Sequence, residues 1–389
     1  MALFRRSNQP RMRATEQHVS FLDSIRGFAV LAVFLYHCLG SAFHQFHLPW
    51  AGLVQDPRGA GVFALLYPLT LGWGGVAVFF AVSGFCIHLS FARSRAGGHP
   101  MMVFFVRRTF RIYPPYLAAL LLFALAFPGI RLTFTKPDDT WQFFSHLFMV
   151  HNLDPATFFG INSAFWSLAV EVQLYLIYPV LLWLVARLGW TATLILLGVV
   201  EGGLRLLHGL DVTGLTAILP ECLVNSPLFY WFSWSIGAAL ADAWEKKRIP
   251  AFPRNSVAFA LVAVVVCDWI KPLSAFAFPL FSLATIFVIG RTLQNDVAST
   301  ECPRWLKHLN QAGVYSYSIY LLHQPLIRVG KIPLKLLPHV FFPPIVVLGL
   351  CCLSWILVFL LARLMFRWIE QPGIRLGKLV LKRLGLSRA

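Results

Sequence analysis

Along this chain, long apolar runs are separated by short polar segments in which arginine and lysine collect. Ten runs are long enough to cross a bilayer as helices, approximately 25–43, 63–90, 112–128, 166–187, 191–207, 228–243, 256–271, 274–290, 313–330 and 341–366. The pattern predicts an all-α fold, a polytopic membrane helix bundle with about ten transmembrane helices. Gly72, Gly74 and Gly75 interrupt the second run, so its first part is expected to be a separate interfacial piece. The stretch Trp141–His151 is apolar but short. Counting it as a span would move the basic cluster at 245–248 to the opposite side, so a re-entrant or surface helix is expected there. No internal repeat or low-complexity tract stands out.

Composition agrees with this pattern. Hydrophobic residues make up 58% of the 389, charged residues 13%, and the mean hydropathy is +0.69, values of a chain dissolved mostly in lipid. The formal net charge of +17 would suit a polyanion such as nucleic acid. The basic residues instead sit between apolar runs, as the positive-inside rule requires, and no nucleic-acid partner is expected. Arg5, Arg6, Arg11 and Arg13 precede the first run, Arg93, Arg95, Arg107, Arg108 and Arg111 follow the second, and Lys246, Lys247 and Arg248 follow the sixth. Arg367, Arg375, Lys378, Lys382 and Arg383 follow the last. All of these share one side if both termini are cytoplasmic, in a multi-pass protein of the inner (plasma) membrane. Loops 44–62 and 129–165 are sparse in basic residues, whereas Arg328, Lys331 and Lys335 run against the rule. The expected organisation is a cytoplasmic segment at 1–24, a transmembrane domain at 25–367 and a basic cytoplasmic tail at 368–389, with no second soluble domain and no cleavable signal peptide. Seven cysteines without paired spacing indicate neither a disulfide framework nor a metal site.

Several polar residues interrupt the apolar runs. Arg26 and His37 are eleven positions apart, which on a helix puts them on nearly one face and about 16 Å apart. Such a pair could hold the two ends of one elongated ligand, and an ionisable ring at that depth suggests function. Arg107, Arg108 and Arg111 precede Pro114 and Pro115; guanidinium forks suit phosphate oxygens, although arginines at a membrane edge also serve topology alone. Glu171 lies about 8 Å along a helix from Trp166, at a depth close to that of His37. His323, after Tyr320, also falls near mid-membrane and is either a helix contact or a supporting residue. Glu201 and Arg205, in the favourable acid-first order four apart, read as a structural ion pair. Ser83 precedes a glycine, but no nucleophile elbow surrounds it.

Together these segments resemble the acyltransferase 3 family of integral membrane acyltransferases, over nearly the whole chain. The resemblance is carried by Leu22-Asp23-Ser24-Ile25-Arg26-Gly27 running on to Tyr36-His37, and by Phe79-Phe80-Ala81-Val82-Ser83-Gly84-Phe85. The arginine-rich segment from Arg107 to Tyr116, Trp166-Ser167-Leu168-Ala169-Val170-Glu171, Ser318-Ile319-Tyr320-Leu321-Leu322-His323 and Ile369-Glu370-Gln371-Pro372 follow in the family's order. Ser24 stands where family members often have glycine. The resemblance implies transfer of an acyl group, usually acetyl, from cytoplasmic acyl-CoA to a hydroxyl of a surface glycan, lipid-linked sugar or other small acceptor. It also implies that Arg26 and His37 are the family's essential pair. Some relatives append an extracytoplasmic esterase-like domain; with none expected here, transfer would finish in the membrane domain or on a separate extracytoplasmic partner.

The implied mechanism uses acetyl-CoA, or another acyl-CoA, as co-substrate and no metal. Arg26, Arg107, Arg108 and Arg111 would hold the phosphates, and the thioester would reach His37, acting as base or acyl carrier. Glu171 would orient the ring or help collect the proton, with Asp23, Ser83, Trp166, Tyr320 and His323 in support. The alternative is a secondary transporter of a small polar solute, which would favour inverted repeats. A purely structural membrane protein would leave His37, Glu171 and His323 without a task.

Overall fold

The computed structural model describes residues 9–43, 61–95, 99–212, 219–294, 304–335 and 343–386. Arg5, Arg6, the side chains of Arg11 and Arg13, and most of loop 44–62 with Trp50 lie outside the described residues. Among the described residues the regular structure is helical, with no strand. Helix α1 (Gln9–Phe43) is followed by α2 (Gly61–Thr70), a 3-10 turn at Leu71–Gly74 and α3 (Gly75–Ser94). Helix α4 (Pro100–Leu121) ends in a π turn, Leu122–Ala126, ahead of α5 (Pro137–Leu147). The 48-residue α6 (Phe165–Val212) precedes the short α7 (Glu221–Val224), then α8 (Trp231–Glu245), α9 (Ser256–Trp269) and α10 (Ala277–Gln294). Helices α11 (Arg304–Val314) and α12 (Ser316–Val329) meet at Tyr315, and α13 (Ile332–Lys335) leads to α14 (Pro344–Met365). A π turn at Phe366–Glu370 joins α14 to α15 (Gln371–Arg383).

Six helical segments are long and apolar enough to cross a bilayer: Phe21–Phe43, Leu66–Ser94, Pro100–Ala126, Phe165–Asp211, Pro272–Gln294 and Pro344–Arg383. The chain is an all-α membrane helical protein. The expected spans 166–187 and 191–207 both fall in α6, which breaks at Gly189 with φ 75° and ψ 168°, a conformation that favours glycine. The expected spans 228–243, 256–271 and 313–330 fall on α8, α9 and α12, of 15, 14 and 14 residues. Within 141–151 the structure has the eleven-residue α5, too short to cross, with Trp141, Phe144 and Phe148 exposed. Helix α5 is tied back to α4, where Tyr116 donates to the His146 carbonyl at 2.8 Å and Tyr113 to the Leu147 carbonyl at 3.2 Å. The His146 and His151 rings stack at 3.8 Å. Burial holds the His146 imidazole down to about 4, so the stack is neutral.

The core gathers around α1, which packs on α3, α11, α12 and α14, and around α3, which packs on α4, α8 and α10. Phe34, Phe85, Tyr116, Tyr178 and Trp234 are fully buried within it. By contrast Ile195, Val199, Phe259, Val262, Ile356 and Leu360 are exposed, as suits helices whose surrounding solvent is hydrocarbon. Several helix pairs approach to backbone contact. A Cβ at Gly84 would sit 2.0 Å from the Trp234 carbonyl oxygen, and one at Gly237 2.0 Å from that of Ala81, so α3 and α8 cross with no room for a side chain. Helix α1 meets α11 in the same way, where a Cβ at Gly313 would lie 1.7 Å from the Asp23 carbonyl oxygen.

The Glu201–Arg205 pair is buried and bonded as the spacing predicts, with Arg205 Nε 3.0 Å from Glu201 Oε1. Its remaining bonds tie separate segments together. Arg205 donates to the carbonyls of Ala275 and Phe229, each at 2.7 Å, while Glu201 accepts from Ser233 N at 2.9 Å and Ser233 Oγ at 2.5 Å. The guanidinium lies 4.3 Å from the Phe229 ring centroid and 5.0 Å from that of Phe278. Arg205→Ala leaves a buried carboxylate unpaired and is expected to destabilise the fold by about 3–5 kcal/mol, read as a lower melting temperature in detergent. The double variant Glu201→Leu/Arg205→Met removes both charges at similar volume and should recover most of that loss; a double variant as unstable as Arg205→Ala would refute the account.

Candidate active site

The ends of α3 and α8 and the start of α4 share one basic face of the bundle. Arg93 pairs with Glu245 at 3.5 Å and Arg107 Nη1 reaches Ser94 Oγ at 3.4 Å. From this face a narrow cavity of about 90 Å³ penetrates between α1, α3, α4, α6 and α12. It is lined by Arg26, Arg108, Arg111, Ser83, Glu171 and Tyr320, so six of the residues expected from sequence meet here. Their spacing explains why. Arg108 and Arg111 are neighbours on α4 at i, i+3, and α1 offers Arg26 from the same face.

Bonds in the wall fix these side chains. Arg26 donates through Nη1 to Asp23 Oδ1 at 3.1 Å and through Nη2 to Cys86 Sγ at 3.2 Å. A guanidinium carries five N–H groups, so donor capacity remains for a ligand. Tyr175 donates a short bond to Glu171 Oε1. Its hydroxyl lies 3.1 Å from Ser83 Oγ, which accepts from Trp234 Nε1 at 3.3 Å. Ser83 therefore acts in a chain of polar contacts running from α8 through α3 to α6. Ser318 Oγ donates to the buried Glu370 at 2.9 Å, which links α12 to the turn before α15.

A second, wider chamber of about 780 Å³ lies at the other end of this stretch of α1. His37 and Trp166 line it with Tyr36, Trp73, Phe158, Phe159, Phe229, Tyr230 and Phe278. Trp166 stacks on Phe158 at 5.8 Å, and Arg205 forms part of the wall. Val76 and Tyr320 line both the narrow cavity and the chamber. The Tyr320 hydroxyl is held 2.7 Å from Ser167 Oγ and its ring lies edge-on to Phe79 at 5.8 Å.

His37 and His323 form a pair. His323 Nδ1 is 2.7 Å from the Tyr320 carbonyl oxygen and His37 Nδ1 is 2.9 Å from that of Val33. A carbonyl only accepts, so both neutral rings carry their proton on Nδ1. His323 Nε2, 3.2 Å from His37 Nδ1, then accepts from it, and the lone pair of His37 sits on Nε2. The ring bonded to His37 is thus that of His323, while Glu171, expected to orient His37, is bonded to Tyr175 in the wall of the narrow cavity.

Arg107 stands outside the narrow cavity. It lines two grooves on the basic face, one shared with Arg26 and Cys86, the other with Arg108 and Arg111. Sequence reading singled out Phe158 and Phe159 as loop aromatics able to stack on sugar rings, but missed Tyr175, Trp234, Cys86 and the other rings of the chamber. The placement of Tyr175 four residues after Glu171 was a usable signal, whereas Trp234 reaches Ser83 across 151 positions and no local pattern announces it. Among the described residues no group of three or more metal-ligating side chains gathers.

Known proteins similar to this chain identify its family. The chain is 25% identical, over 92% of its length, to the peptidoglycan O-acetyltransferase OatA of Listeria monocytogenes, of which it covers 56%. It therefore spans about half the length of that relative. It is 26% identical to nodulation protein 10 of Rhizobium leguminosarum bv. viciae, covering 95% of this chain and 97% of that one. It is also 26% identical to the acyltransferase MdmB of Streptomyces mycarofaciens, with 79% of each chain covered. No solved structure matches it. Residues 19–363 match the acyltransferase domain model, and the chain belongs to the acyltransferase 3 family.

Proposed function

We propose that this chain is a membrane-embedded O-acyltransferase. It moves an acyl group, acetyl in the simplest case, from acyl-CoA at the cytoplasmic face to a hydroxyl of a glycan, lipid-linked sugar or other small acceptor that enters from the opposite side. The observation that carries this reading is the wall common to the two cavities. A basic, narrow cavity suited to phosphates and a thin acyl-bearing arm abuts a wide aromatic chamber suited to sugar rings, with Val76 and Tyr320 between them. The Listeria relative's name joins acetyl transfer to peptidoglycan, which supports a sugar hydroxyl as acceptor. On this reading the protein sits in the plasma membrane with both termini cytoplasmic.

In this mechanism Arg26, Arg107, Arg108 and Arg111 hold the donor phosphates by charge-assisted hydrogen bonds. The thioester is presented near Tyr320. The acceptor oxygen attacks the thioester carbonyl while His37 Nε2 takes the hydroxyl proton; the C–S bond breaks and the proton passes to the leaving sulfur, giving an ester and free coenzyme A. His323 positions the imidazole by accepting from Nδ1 and so keeps the basic lone pair on Nε2. Glu171 orders the tyrosine–serine wall along which the donor arm lies.

His37→Ala should lower turnover by at least about a hundredfold while the purified variant keeps its wild-type melting temperature, since a positioned base contributes that much or more. Near-normal turnover would remove His37 from the chemistry. Arg108→Ala and Arg111→Ala should each raise the KM for acyl-CoA by roughly ten- to hundredfold, the value of a hydrogen bond to a charged group, with less change in acceptor dependence. Unchanged donor KM in both would leave these arginines a topological role only. Sidedness separates enzyme from transporter. Labelled acyl-CoA added to inside-out vesicles should yield a labelled ester on the acceptor, whereas sealed right-side-out vesicles should need donor loaded inside. Uptake of an intact solute with no thioester cleaved would favour transport.

A further inference from the structure

A groove of about 930 Å³ lies on the basic face between α4 and α15. Helix α15 contributes Arg375, Lys378 and Lys382 to it, at i, i+3 and i+7, hence on one helical stripe. That stripe faces Arg107, Arg108 and Arg111 of α4 across the groove. Among the described residues no acidic side chain lines it. Six cations turned toward one another repel, and the arrangement is relieved by a multiply charged anion between them. The two helices are closely fitted. A Cβ at Gly373 would lie 2.6 Å from the Phe110 carbonyl oxygen and one at Gly377 2.8 Å from Phe110 Cβ, so α15 is seated against α4 at those points. Arg108 and Arg111 also line the narrow cavity, so the groove and that cavity share these two side chains.

We infer that α15 completes the donor site, and that its Arg375–Lys378–Lys382 stripe holds the nucleotide end of acyl-CoA, in particular the 3′-phosphate of its adenosine. The inference rests on the acyl-CoA reading above. The dianionic 3′-phosphate and the pyrophosphate are separate charged groups on one molecule. The groove offers cations on two walls, so the α4 arginines take the pyrophosphate nearer the narrow cavity and the α15 stripe takes the terminal phosphate farther out. On the sequence alone Arg375, Lys378 and Lys382 read as markers of topology. Anionic lipid headgroups share the phosphate chemistry and are the competing occupant.

The test measures coenzyme A binding by calorimetry to the full chain in nanodiscs, once in purely zwitterionic lipid and once with anionic lipid. The proteins are wild type, Lys378→Ala/Lys382→Ala and Arg375→Ala, with Arg383→Ala as a control outside the groove. Wild type should bind coenzyme A more tightly than 3′-dephospho-coenzyme A. The groove variants should lose about tenfold or more in affinity for coenzyme A in both lipids, with little change for the dephospho form and an unchanged melting temperature. Because the contacts are exposed, the difference should shrink as salt is raised. Coenzyme A affinity equal to wild type in both groove variants would overturn the assignment while leaving the acyl-CoA reading intact. A loss seen only with anionic lipid present would give the groove to headgroups and overturn it as well. A wild-type protein that binds neither form would defeat the donor reading itself.

Discussion

How closely α3 can approach α8 decides the geometry of the narrow cavity. With hydrogen in place of side chains at Gly84 and Gly237, the two backbones touch, and Trp234 on α8 comes within reach of Ser83 on α3. From Ser83 the polar contacts run to Tyr175 and on to Glu171, so the close approach at these two glycines reaches a carboxylate on a third helix. Membrane helices gain no hydrophobic energy by associating in lipid; packing and interhelical hydrogen bonds must hold them. The same surfaces that hold this bundle together therefore also form its functional wall. The α1–α11 contact at Gly313 does the equivalent for Arg26, since it packs against the backbone of Asp23, the arginine's partner.

Charge inside the bundle is handled in two distinct ways. Around Arg205 every bond is made within the protein: a carboxylate, two backbone carbonyls and aromatic faces surround the guanidinium. That is a structural solution, although the residue borders the aromatic chamber. Around Arg26, Arg108 and Arg111 three cations line one cavity with Glu171 as the carboxylate in its wall. Arg26 is paired with Asp23, and the guanidiniums keep N–H donors that suit an anion.

Much of this was legible in the sequence because it depends on short spacings. The apolar runs, the basic face, the Glu201–Arg205 pair at i, i+4 and the joining of Arg108 with Arg111 at i, i+3 all follow from helical periodicity. Gly72, Gly74 and Gly75 do mark a break, a 3-10 turn between α2 and α3. What the periodicity could not give was the partner across helices. Glu171 was expected beside His37 from equal depth alone; depth fixes one coordinate, and the two residues ended in the walls of different cavities. His323 took the place beside His37 because α12 packs directly on α1. Phe158 and Phe159 stood out as loop aromatics, but their assembly into a chamber was illegible for the same reason, since its other rings come from α1, α10 and the segment ahead of α8 as well as Trp73 and Trp166.

Where two cavities in a membrane bundle share a wall, permeability is at stake. A path of water through the bundle would leak protons and ions and dissipate the gradient across the membrane. Tyr320 stands at that junction, its hydroxyl held by Ser167 and its ring braced by Phe79, with Val76 completing the wall. Under the proposed acetyl transfer, exchange across this point would need only a two-carbon fragment to pass, not a solute or an ion with its hydration shell. On that proposal a braced ring at the junction would let an acyl group cross between the two cavities without a continuous path of water.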